Sequence, residues 1–494
     1  MTPRRYSLLL LALAALHAVL AALLPLSGDE VYYWDCSRHL DWSYFDQPPL
    51  VIWAMVPFRA LLGETALAVR APAILASLLV GLFLLPLMRR LGGGPREATW
   101  AYLVLHATPL FFVGAFYAST DAAMIAATVG ATWAAIAVAQ GERRGWWGFA
   151  FALGVGFLAK FPVVLVLPAL LPALLRREGR AELSRPAPYL AGALAAVLTT
   201  PVWLWALRHD FDNIAFQLAG RHRRAGFTLG PLGEFVAANL LLVTPFLLVA
   251  IVLAWARRRR GADVAWATML VATATPVAFF ALVALRTKVG GHWGGPTWVL
   301  GAAILALTPL ACRRFCVIAG AATGGLMTAA MLAIVLAPEP LLATGWSYHG
   351  SRRIATRALS AVVGNDELVA AVEARVRPGE LVASESYSTA HLLAFLSRGR
   401  LDTRLFHQPR GSHGLASLYW YPPESLRGRD VLFVTEQRDP AAGLSELFAE
   451  VREEEPIVIR RGDAVVRTVR VLRATDLLAP AEAFTRLREG DGAR

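Results

Sequence analysis

A run of apolar residues near the beginning of the chain decides the fold. Residues 8–26 are LLLLALAALHAVLAALLPL and include no Asp, Glu, Lys or Arg. A helix needs roughly 20 such residues to cross the ~30 Å hydrocarbon core of a bilayer, where every backbone polar group must be paired internally. Similar runs occupy residues 98–113 and 235–256. We therefore predict that most of this chain lies in a membrane.

The composition agrees with this prediction. Of the 494 residues, 56% are hydrophobic and 17% are charged, and the mean hydropathy is +0.50. A soluble domain carries about 25% charged residues. The formal net charge of +12 comes from short basic clusters between the apolar runs. That pattern orients membrane proteins and differs from the basic stripe of nucleic-acid binding, so we expect no nucleic-acid partner.

Eleven apolar segments are predicted to be helices. They occupy residues 6–26, 67–88, 97–117, 121–139, 146–159, 162–175, 187–206, 235–256, 264–285, 296–311 and 315–337. The two segments beside Lys160 are short, and together they are either two spans or one shallow hairpin. Every segment predicted to be on the inner side is basic, and the first loop on the opposite side is rich in acids, which places the N-terminus in the cytoplasm. The prediction is a multi-pass inner-membrane protein, all-α in its membrane part, with about eleven transmembrane helices.

The composition changes beyond Pro338. A helix-like stretch at residues 366–376 alternates with β-rich runs at 381–384, 431–435 and 464–471. About 150 residues are an ordinary size for one domain. We predict a membrane domain at residues 1–338 and a small α/β domain at residues 339–494, which is extracytoplasmic if the number of spans is odd.

The first outer loop gives the strongest local indication of chemistry. Asp29 and Glu30 follow the first apolar segment directly, and the loop continues through Tyr32 and Tyr33 to Asp46-Gln47-Pro48-Pro49. One interpretation is a solvated loop with an interfacial belt of aromatic residues. The other is a site in which carboxylates act beside an aromatic wall for a sugar ring.

Three further residues stand between apolar segments on the predicted outer side. Asp121 begins a helix, which is an ordinary place for a capping residue. Lys160 is a cation on the side where cations are rare, and it either snorkels to the interface or binds an anion. His292 lies in another outer turn and alone is weak evidence for a site.

An arginine-rich outer loop spans residues 207–234. It contains Gln217 and the arginines Arg221, Arg223 and Arg224. Guanidinium groups bind phosphate oxygens through paired hydrogen bonds, and lipid headgroups are the alternative partner. Acids and cations thus converge on one side of the membrane. This arrangement suits a phosphate-linked sugar donor, because cations hold the phosphate leaving group while a carboxylate activates the acceptor. An anion transporter can use the same residues.

The loop motifs resemble those of the bacterial glycosyltransferase family 39, which includes relatives of protein O-mannosyltransferases and of the aminoarabinose transferase that modifies lipid A. The similarity rests on residues 29–34 (DEVYYW) and 44–50 (YFDQPPL), and it continues at residues 70–73, 120–122, 158–160, 211–218 and 292–296. It covers about the first two-thirds of the chain. Two positions differ from the aminoarabinose transferases: Asp46-Gln47 replaces a Glu-Lys pair, and Tyr32 replaces a basic residue.

The resemblance implies the GT-C fold, with an active site at the outer face of a helical membrane core. It implies that Asp29 is the catalytic carboxylate with Glu30 beside it, that Asp121 is a second acid, and that Lys160 binds phosphate. It also implies direct displacement with inversion at the sugar, which needs one base and no covalent intermediate.

The sequence therefore predicts a membrane glycosyltransferase, hexosyl or pentosyl, that uses a polyprenyl-phosphate sugar. Its partners are this donor, membrane lipids and an extracytoplasmic acceptor (lipid A, another glycan, a lipid or a protein). No cofactor is indicated, although a divalent metal stays open. A transporter or flippase of a lipid-linked sugar is the alternative. The predicted site consists of catalytic Asp29, Glu30 and Asp121, phosphate-binding Lys160, Arg221, Arg223 and Arg224, and substrate-binding Tyr32, Tyr33, Asp46, Gln217 and His292.

Overall fold

The computed structural model describes residues 2–220, 226–338, 363–406, 414–436, 444–461 and 464–480. Its N-terminal part is helical. The α-helices are α1 Pro3–Leu23, α2 Gly28–Cys36, α3 Leu50–Leu62, α4 Ala66–Arg90, α5 Pro95–His106, α6 Pro109–Gly114, α7 Thr120–Ala139, α8 Arg144–Ala159, α9 Leu171–Leu174, α10 Arg177–Glu182, α11 Pro186–Arg208, α12 Asp212–Ala215, α13 Gly230–Val243, α14 Pro245–Arg258, α15 Val264–Val283, α16 Gly295–Leu307 and α17 Arg313–Leu336. Short 3₁₀ segments lie at Phe161–Leu170 and Gly291–Gly294, and a π segment at Phe216–Gly220.

Six of the described helices are long and apolar enough to cross a membrane, which makes this a multi-pass membrane protein. They are α1, α4, α7, α11, α15 and α17. The pair α13 and α14 passes the same test together, so that seven spans result if the pair is one broken span. Every predicted apolar segment contains helix, but the count of eleven spans stays a prediction.

Three predicted segments are not single α-helices. The segment at 235–256 bends by 100° between α13 and α14, where Thr244 has a φ of 72° and Pro245 begins the new helix. The segment at 97–117 breaks before Pro109, and the side chain of Thr108 caps the new helix by accepting from the Phe111 N–H. Proline has no N–H to continue a helix and its ring clashes with the preceding turn, which explains both breaks. The segment after Lys160 is mostly 3₁₀.

The first outer loop is more ordered than the sequence predicted, because it contains the helices α2 and α3. A capping box begins α2: Glu30 accepts a hydrogen bond from the Ser27 N–H at 2.9 Å. Such reciprocal capping satisfies N–H groups that have no partner within the helix. Val31, Tyr32 and Trp34 are all buried. The loop is therefore a folded element with its own core.

Helix α7 is the most buried of the six long helices. Of its most apolar stretch, 72% is buried, against 17% for α17. It packs against α4, α8 and α15 with small side chains such as Ala131, Ala134 and Ala135. Small residues let helices approach closely, which compensates in lipid for the missing hydrophobic effect. This central helix carries Asp121 in its first turn.

The C-terminal part is α/β, as predicted. It comprises α18 Asn365–Glu373, β1 Leu381–Ser384, α19 Tyr387–Leu396, β2 Thr403–Leu405, β3 Val431–Thr435, β4 Phe448–Arg461 and β5 Ala464–Leu477. The sheet order is β2-β1-β3-β5-β4, with β1 parallel to β2 and β3, and β5 antiparallel to both of its neighbours. Buried apolar residues such as Leu432 and Val434 form its core. The domain boundary predicted at residue 338 stays a proposal, because residues 339–362 lie outside the described residues.

Candidate active site

The C-terminal part lies on the same face of the molecule as α2. Helix α19 packs against α2, with the rings of Trp34 and Phe395 5.0 Å apart in a T-shaped arrangement. Hydrogen bonds cross the joint, from the Tyr387 hydroxyl to Asp29 at 2.6 Å and from the Tyr419 hydroxyl to Asp212 at 2.8 Å. Residues 27–49 are thus enclosed between the membrane helices and the C-terminal part.

A cavity of about 820 Å³ opens beneath this joint. One region of its wall is polar and includes Asp29, Tyr33, Asp46, Gln47, Asp121, Lys160, Gln217, His292 and Tyr387. The remainder is apolar, with Leu105, Phe111, Ile125, Leu247, Ile251 and Phe280 among its residues. The cavity is large enough for a small ligand, and its wall combines charged and apolar side chains.

Asp29 lies in the first turn of α2 and faces the cavity. Its Oδ1 accepts the hydrogen bond from Tyr387. Burial raises the pKa of the Tyr387 phenol well above its ordinary value, and the neighbouring Asp29 carboxylate adds to that shift. The phenol therefore stays protonated and holds one carboxylate oxygen in place.

Glu30 has a different environment from its neighbour. It is fully buried, does not line the cavity, and forms a two-pronged ion pair with Arg70, with both N···O distances at 2.7 Å. It also accepts from the N–H groups of Ser27 and Ala118, while Arg70 donates to three carbonyls at the end of α1. These contacts fix α2 against α1 and α4.

Asp121 and Lys160 form an ion pair in the cavity wall. The Lys160 Nζ lies 2.8 Å from both carboxylate oxygens of Asp121. The His292 Nε2 is 3.7 Å from the same carboxylate, and the Lys160 Nζ is 5.6 Å from the centre of the Trp293 ring. Lys160 is the last residue before the 3₁₀ segment, which places its ammonium at the beginning of α7. Among the described residues of the cavity wall, Lys160 is the one lysine or arginine, and Asp121 is its counter-ion.

Asp46 links the loop to the C-terminal part. Its carboxylate accepts from the Tyr32 hydroxyl at 2.7 Å and from the Gly414 N–H at 2.6 Å. Gln217 donates to the Asp46 carbonyl at 2.8 Å. The side-chain amide of Gln47 is buried in the cavity wall, and neither its nitrogen nor its oxygen has a hydrogen-bond partner among the described residues. This amide offers one donor and one acceptor to a ligand.

The structure separates the predicted site residues into three groups. The cavity wall contains Asp29, Tyr33, Asp46, Asp121, Lys160, Gln217 and His292. Glu30 and Tyr32 lie behind the wall, where each holds a neighbouring charged side chain. Arg221, Arg223 and Arg224 lie outside the described residues. The chemical roles assigned from the sequence stay predictions.

Sequence reasoning missed Tyr387 and did not assign Gln47 to the site. Tyr387 is 358 positions from Asp29, and no local pattern marks it. Gln47 was visible as a departure from a related motif, but only its burial without partners singles it out. Within the residues that the structure describes, three or more His, Cys, Asp or Glu side chains do not group as metal ligands do.

Comparison with known proteins supports the family suggested by the sequence. Residues 46–205 match the family model of dolichyl-phosphate-mannose-protein mannosyltransferases. The chain is 28% identical over 278 residues to the lipid A galacturonosyltransferase RgtD of Rhizobium johnstonii, covering 55% of this chain and 58% of the relative. It is 30% identical over 223 residues to the undecaprenyl phosphate-alpha-4-amino-4-deoxy-L-arabinose arabinosyl transferase of Edwardsiella ictaluri, covering 39% and 40%. The membrane part of the chain is therefore similar to these sugar transferases.

The fold is similar over a greater length than the sequence. The structure of ArnT from Cupriavidus metallidurans bound to undecaprenyl phosphate superposes with a TM-score of 0.66 at 17% identity, over 95% of this chain and 98% of ArnT. This likeness confirms the predicted GT-C fold. In sequence, the chain spans about half the length of the curated relatives it matches.

Proposed function

We propose that this protein transfers a sugar, hexosyl or pentosyl, from a polyprenyl-phosphate carrier to an extracytoplasmic acceptor, with inversion. The observation that carries the proposal is the single cavity in which Asp29 and Lys160 share a polar region that continues into an apolar one. Relatives named as undecaprenyl-phosphate and lipid A sugar transferases support the substrate class. The acceptor is lipid A, another glycan, a lipid or a protein.

The two regions of the cavity match the two parts of such a donor. The apolar wall, which includes Leu247, Ile251 and Phe280, suits a prenyl chain, since burying apolar surface is favourable and requires no directional partner. The phosphate then lies beside Lys160, where an ammonium group offers three N–H donors. Lys160 must exchange part of its contact with Asp121 for the phosphate, and His292 stands beside the same carboxylate.

The reaction that we propose is a direct displacement. An acceptor oxygen forms a bond to the anomeric carbon while the bond from that carbon to the phosphate oxygen breaks. The negative charge developing on the leaving phosphate is stabilised by Lys160. Asp29 takes the proton of an acceptor hydroxyl as general base, or orients the acceptor if that group is itself a phosphate.

The remaining predicted residues serve this geometry indirectly. Glu30 and Tyr32 act as positioning residues, since each is buried and bonded to a charged neighbour. Asp121 is proposed to hold Lys160 until the donor phosphate arrives. We retain phosphate binding by Arg221, Arg223 and Arg224 as a prediction from the sequence. Tyr33, Asp46, Gln47 and Gln217 line the cavity, and we propose that they contact the sugar.

The orientation in the membrane is also part of the proposal. The N-terminus lies in the cytoplasm, because the basic clusters predicted for the inner side begin with Arg4 and Arg5. The joint and residues 339–494 then lie on the outer side of the inner membrane, and the cavity beneath the joint lies at the outer face of the membrane part. The two proposed domains, residues 1–338 and 339–494, meet at the joint beside Asp29.

The test uses the full-length protein in bilayers with radiolabelled polyprenyl-phosphate sugars and an envelope acceptor extract. We expect label to move to a new species with the wild type and not with the Asp29→Asn variant. The control is Asp210→Asn, which changes an exposed acid at a positive φ that asparagine also tolerates. If the labelled sugar crosses the bilayer with its carrier bond intact, the protein is a flippase and the catalytic roles are wrong.

A further inference from the structure

A second pocket lies at the joint, on the opposite end of α2 from Asp29. Its volume is about 170 Å³, and it shares no lining residue with the larger cavity. The polar and aromatic residues of its wall are Asp35, Arg38 and His39 from the loop, and His391, Arg400, Asp402, Arg404, Ser417, Trp420 and Tyr421 from the C-terminal part. The pocket is thus formed by both parts of the chain.

Three buried polar atoms in this wall have no hydrogen-bond partner in the described part of the chain: the His391 Nε2, the Ser417 Oγ and the Arg404 Nε. His391 is 3% exposed and Ser417 is 8% exposed. Native proteins leave few buried polar groups unpaired, and a specific exception needs an explanation such as a bound ligand. Three such atoms around one pocket indicate a group that supplies their partners.

The chemistry of the wall indicates the charge of that group. Arg38, Arg400 and Arg404 bring three guanidinium groups to the pocket. The Nε–H of Arg404 can only donate, and the hydroxyl of Ser417 can also donate. A ligand that satisfies these atoms must therefore present acceptor oxygens.

The carboxylates of the wall already have cationic or hydrogen-bonding partners. Asp35 accepts from the His391 Nδ1 at 2.7 Å and from Arg38 at 3.2 Å, and Asp402 pairs with Arg404. Burial opposes the ionisation of Asp35, but the hydrogen bond from His391 and the nearby positive charges hold the pKa of Asp35 below its ordinary value. Side chains of the wall thus balance the charges of these acids. The acids do not pair with the Arg404 Nε or the Ser417 Oγ, which are left for a ligand.

We propose that the joint pocket binds a phosphate group, held by Arg404, Ser417 and His391. A tetrahedral phosphate presents oxygens in several directions at once, as partners from a β-strand, a 3₁₀ segment and α19 require. Arg404 and Ser417 donate to these oxygens. The His391 ring donates to Asp35 through Nδ1, so its Nε2 accepts from a phosphate hydroxyl when the ring is neutral and donates to a phosphate oxygen when the ring is charged. The phosphate comes either from the solution or from a lipid headgroup. The site stands apart from sugar transfer and does not rest on it.

The position of the pocket gives the bound phosphate a structural effect. His391 follows Tyr387 by one turn of α19, and Asp35 lies in the last turn of α2, whose first turn holds Asp29. A phosphate at this site therefore ties together the two helices whose packing brings Tyr387 to Asp29. Occupation makes the joint harder to separate.

Binding is measured on the full-length protein in phosphatidylcholine nanodiscs, by calorimetric titration with inorganic phosphate at constant ionic strength. We expect saturable binding, weakened about tenfold or more by Arg404→Gln, since hydrogen bonds between charged groups contribute about that factor. Ser417→Ala, which deletes a single hydroxyl, should weaken binding about threefold, near the contribution of one modest hydrogen bond. Arg452→Gln is the matched control, because Arg452 is an exposed arginine of the same domain outside the pocket.

Nanodiscs that contain phosphatidic acid distinguish the two sources. If the lipid phosphate occupies the site, inorganic phosphate no longer binds there, whereas a site for soluble phosphate binds it equally in both nanodiscs. Either result supports the proposal when Arg404→Gln and Ser417→Ala are folded and, in phosphatidylcholine nanodiscs, bind inorganic phosphate more weakly than the wild type and Arg452→Gln do. The proposal is overturned if, in phosphatidylcholine nanodiscs, the wild type, Ser417→Ala and Arg452→Gln bind phosphate equally, or if the wild type binds none.

Discussion

The membrane part and the C-terminal part contribute differently to the large cavity. The membrane part supplies the charged groups, which are Asp29, Asp121 and Lys160. The C-terminal part supplies neutral donors, the Tyr387 hydroxyl and the Gly414 N–H, which hold the carboxylates of Asp29 and Asp46. A neutral donor orients a carboxylate and leaves its negative charge in place, whereas a cation in the same position would orient the carboxylate and also compensate its charge. The membrane part therefore sets the electrostatics and the C-terminal part sets the geometry.

The largest effect is expected on stability, when the ion pair between Arg70 and Glu30 is broken. Arg70→Met leaves Glu30 as an unpaired buried carboxylate, and breaking a buried pair in this way costs about 3–5 kcal/mol. We expect a strongly lowered thermal unfolding midpoint of the full-length protein in detergent. Arg427→Met, which removes an exposed partner of Glu424, is the control and should change the midpoint little. Equal midpoints for the two variants would contradict the supporting role of Arg70.

The second largest effect is expected on kcat, when the positive charge of Lys160 is removed. Lys160→Met removes the proposed phosphate-binding cation, and losing a group that stabilises developing charge lowers kcat by about 10²–10³-fold. The only other lysine in the sequence, Lys288, is 83% exposed in its side chain and pairs with Glu234, so that Lys288→Met is a matched control. Sugar transfer measured at saturating donor should fall for Lys160→Met alone. Similar rates for both lysine variants would remove Lys160 from the mechanism.

A smaller effect on kcat is expected when the hydrogen bond that orients Asp29 is removed. Tyr387→Phe removes the hydrogen bond to Asp29 and leaves the ring in place, which should lower kcat by about tenfold, the equivalent of one hydrogen bond to a charged group. Tyr419→Phe removes a comparable hydrogen bond across the same joint, to Asp212, which does not line the cavity. If the two variants lose the same activity, the hydroxyl of Tyr387 holds the joint together and does not orient Asp29.

The smallest effect is expected on KM for the donor, when the Gln47 amide proposed to contact the sugar is removed. Gln47→Leu replaces the unpartnered buried amide by an apolar group of similar size, which should stabilise the empty protein slightly, since the amide has no partner to lose. The same change should raise KM for the donor more than it lowers kcat. The paired measurement is donor titration of transfer beside the unfolding midpoint. A loss of stability without a change in KM would show that the amide packs and does not bind.

The sequence predicted the membrane part better than the joint. Apolar runs locate the long helices because the bilayer requires them, and the adjacent acids of α2 lie next to such a run. The break at Pro245 was missed because the apolar run continues through this proline without interruption. Strand β4 was missed because its acidic residues, such as Glu453 and Glu454, are not typical of a strand. In the structure these two residues form ion pairs with Arg470 and Arg473 of the neighbouring strand.

The sequence could not predict that Asp29 and Glu30 have different environments. Two neighbouring carboxylates look alike in a motif, and both were predicted to be catalytic. Their different environments depend on Arg70 and Tyr387, which are 40 and 358 positions from the acids that they contact. A contact between distant residues leaves no local pattern, so that only the folded chain distinguishes the acid in the cavity from the acid behind it.

The pairing of Lys160 with Asp121 has a consequence for how the donor enters and leaves. Because the cavity already balances its cation, an arriving phosphate does not neutralise a bare charge but replaces one anion by another. The free energy of capture is then the difference between two similar pairings and stays small. Departure of the spent carrier is the same swap in reverse, with Asp121 returning to Lys160 as the phosphate moves away. In the proposed mechanism the site therefore exchanges one anion for another, so that it can bind a charged donor and still release the spent carrier.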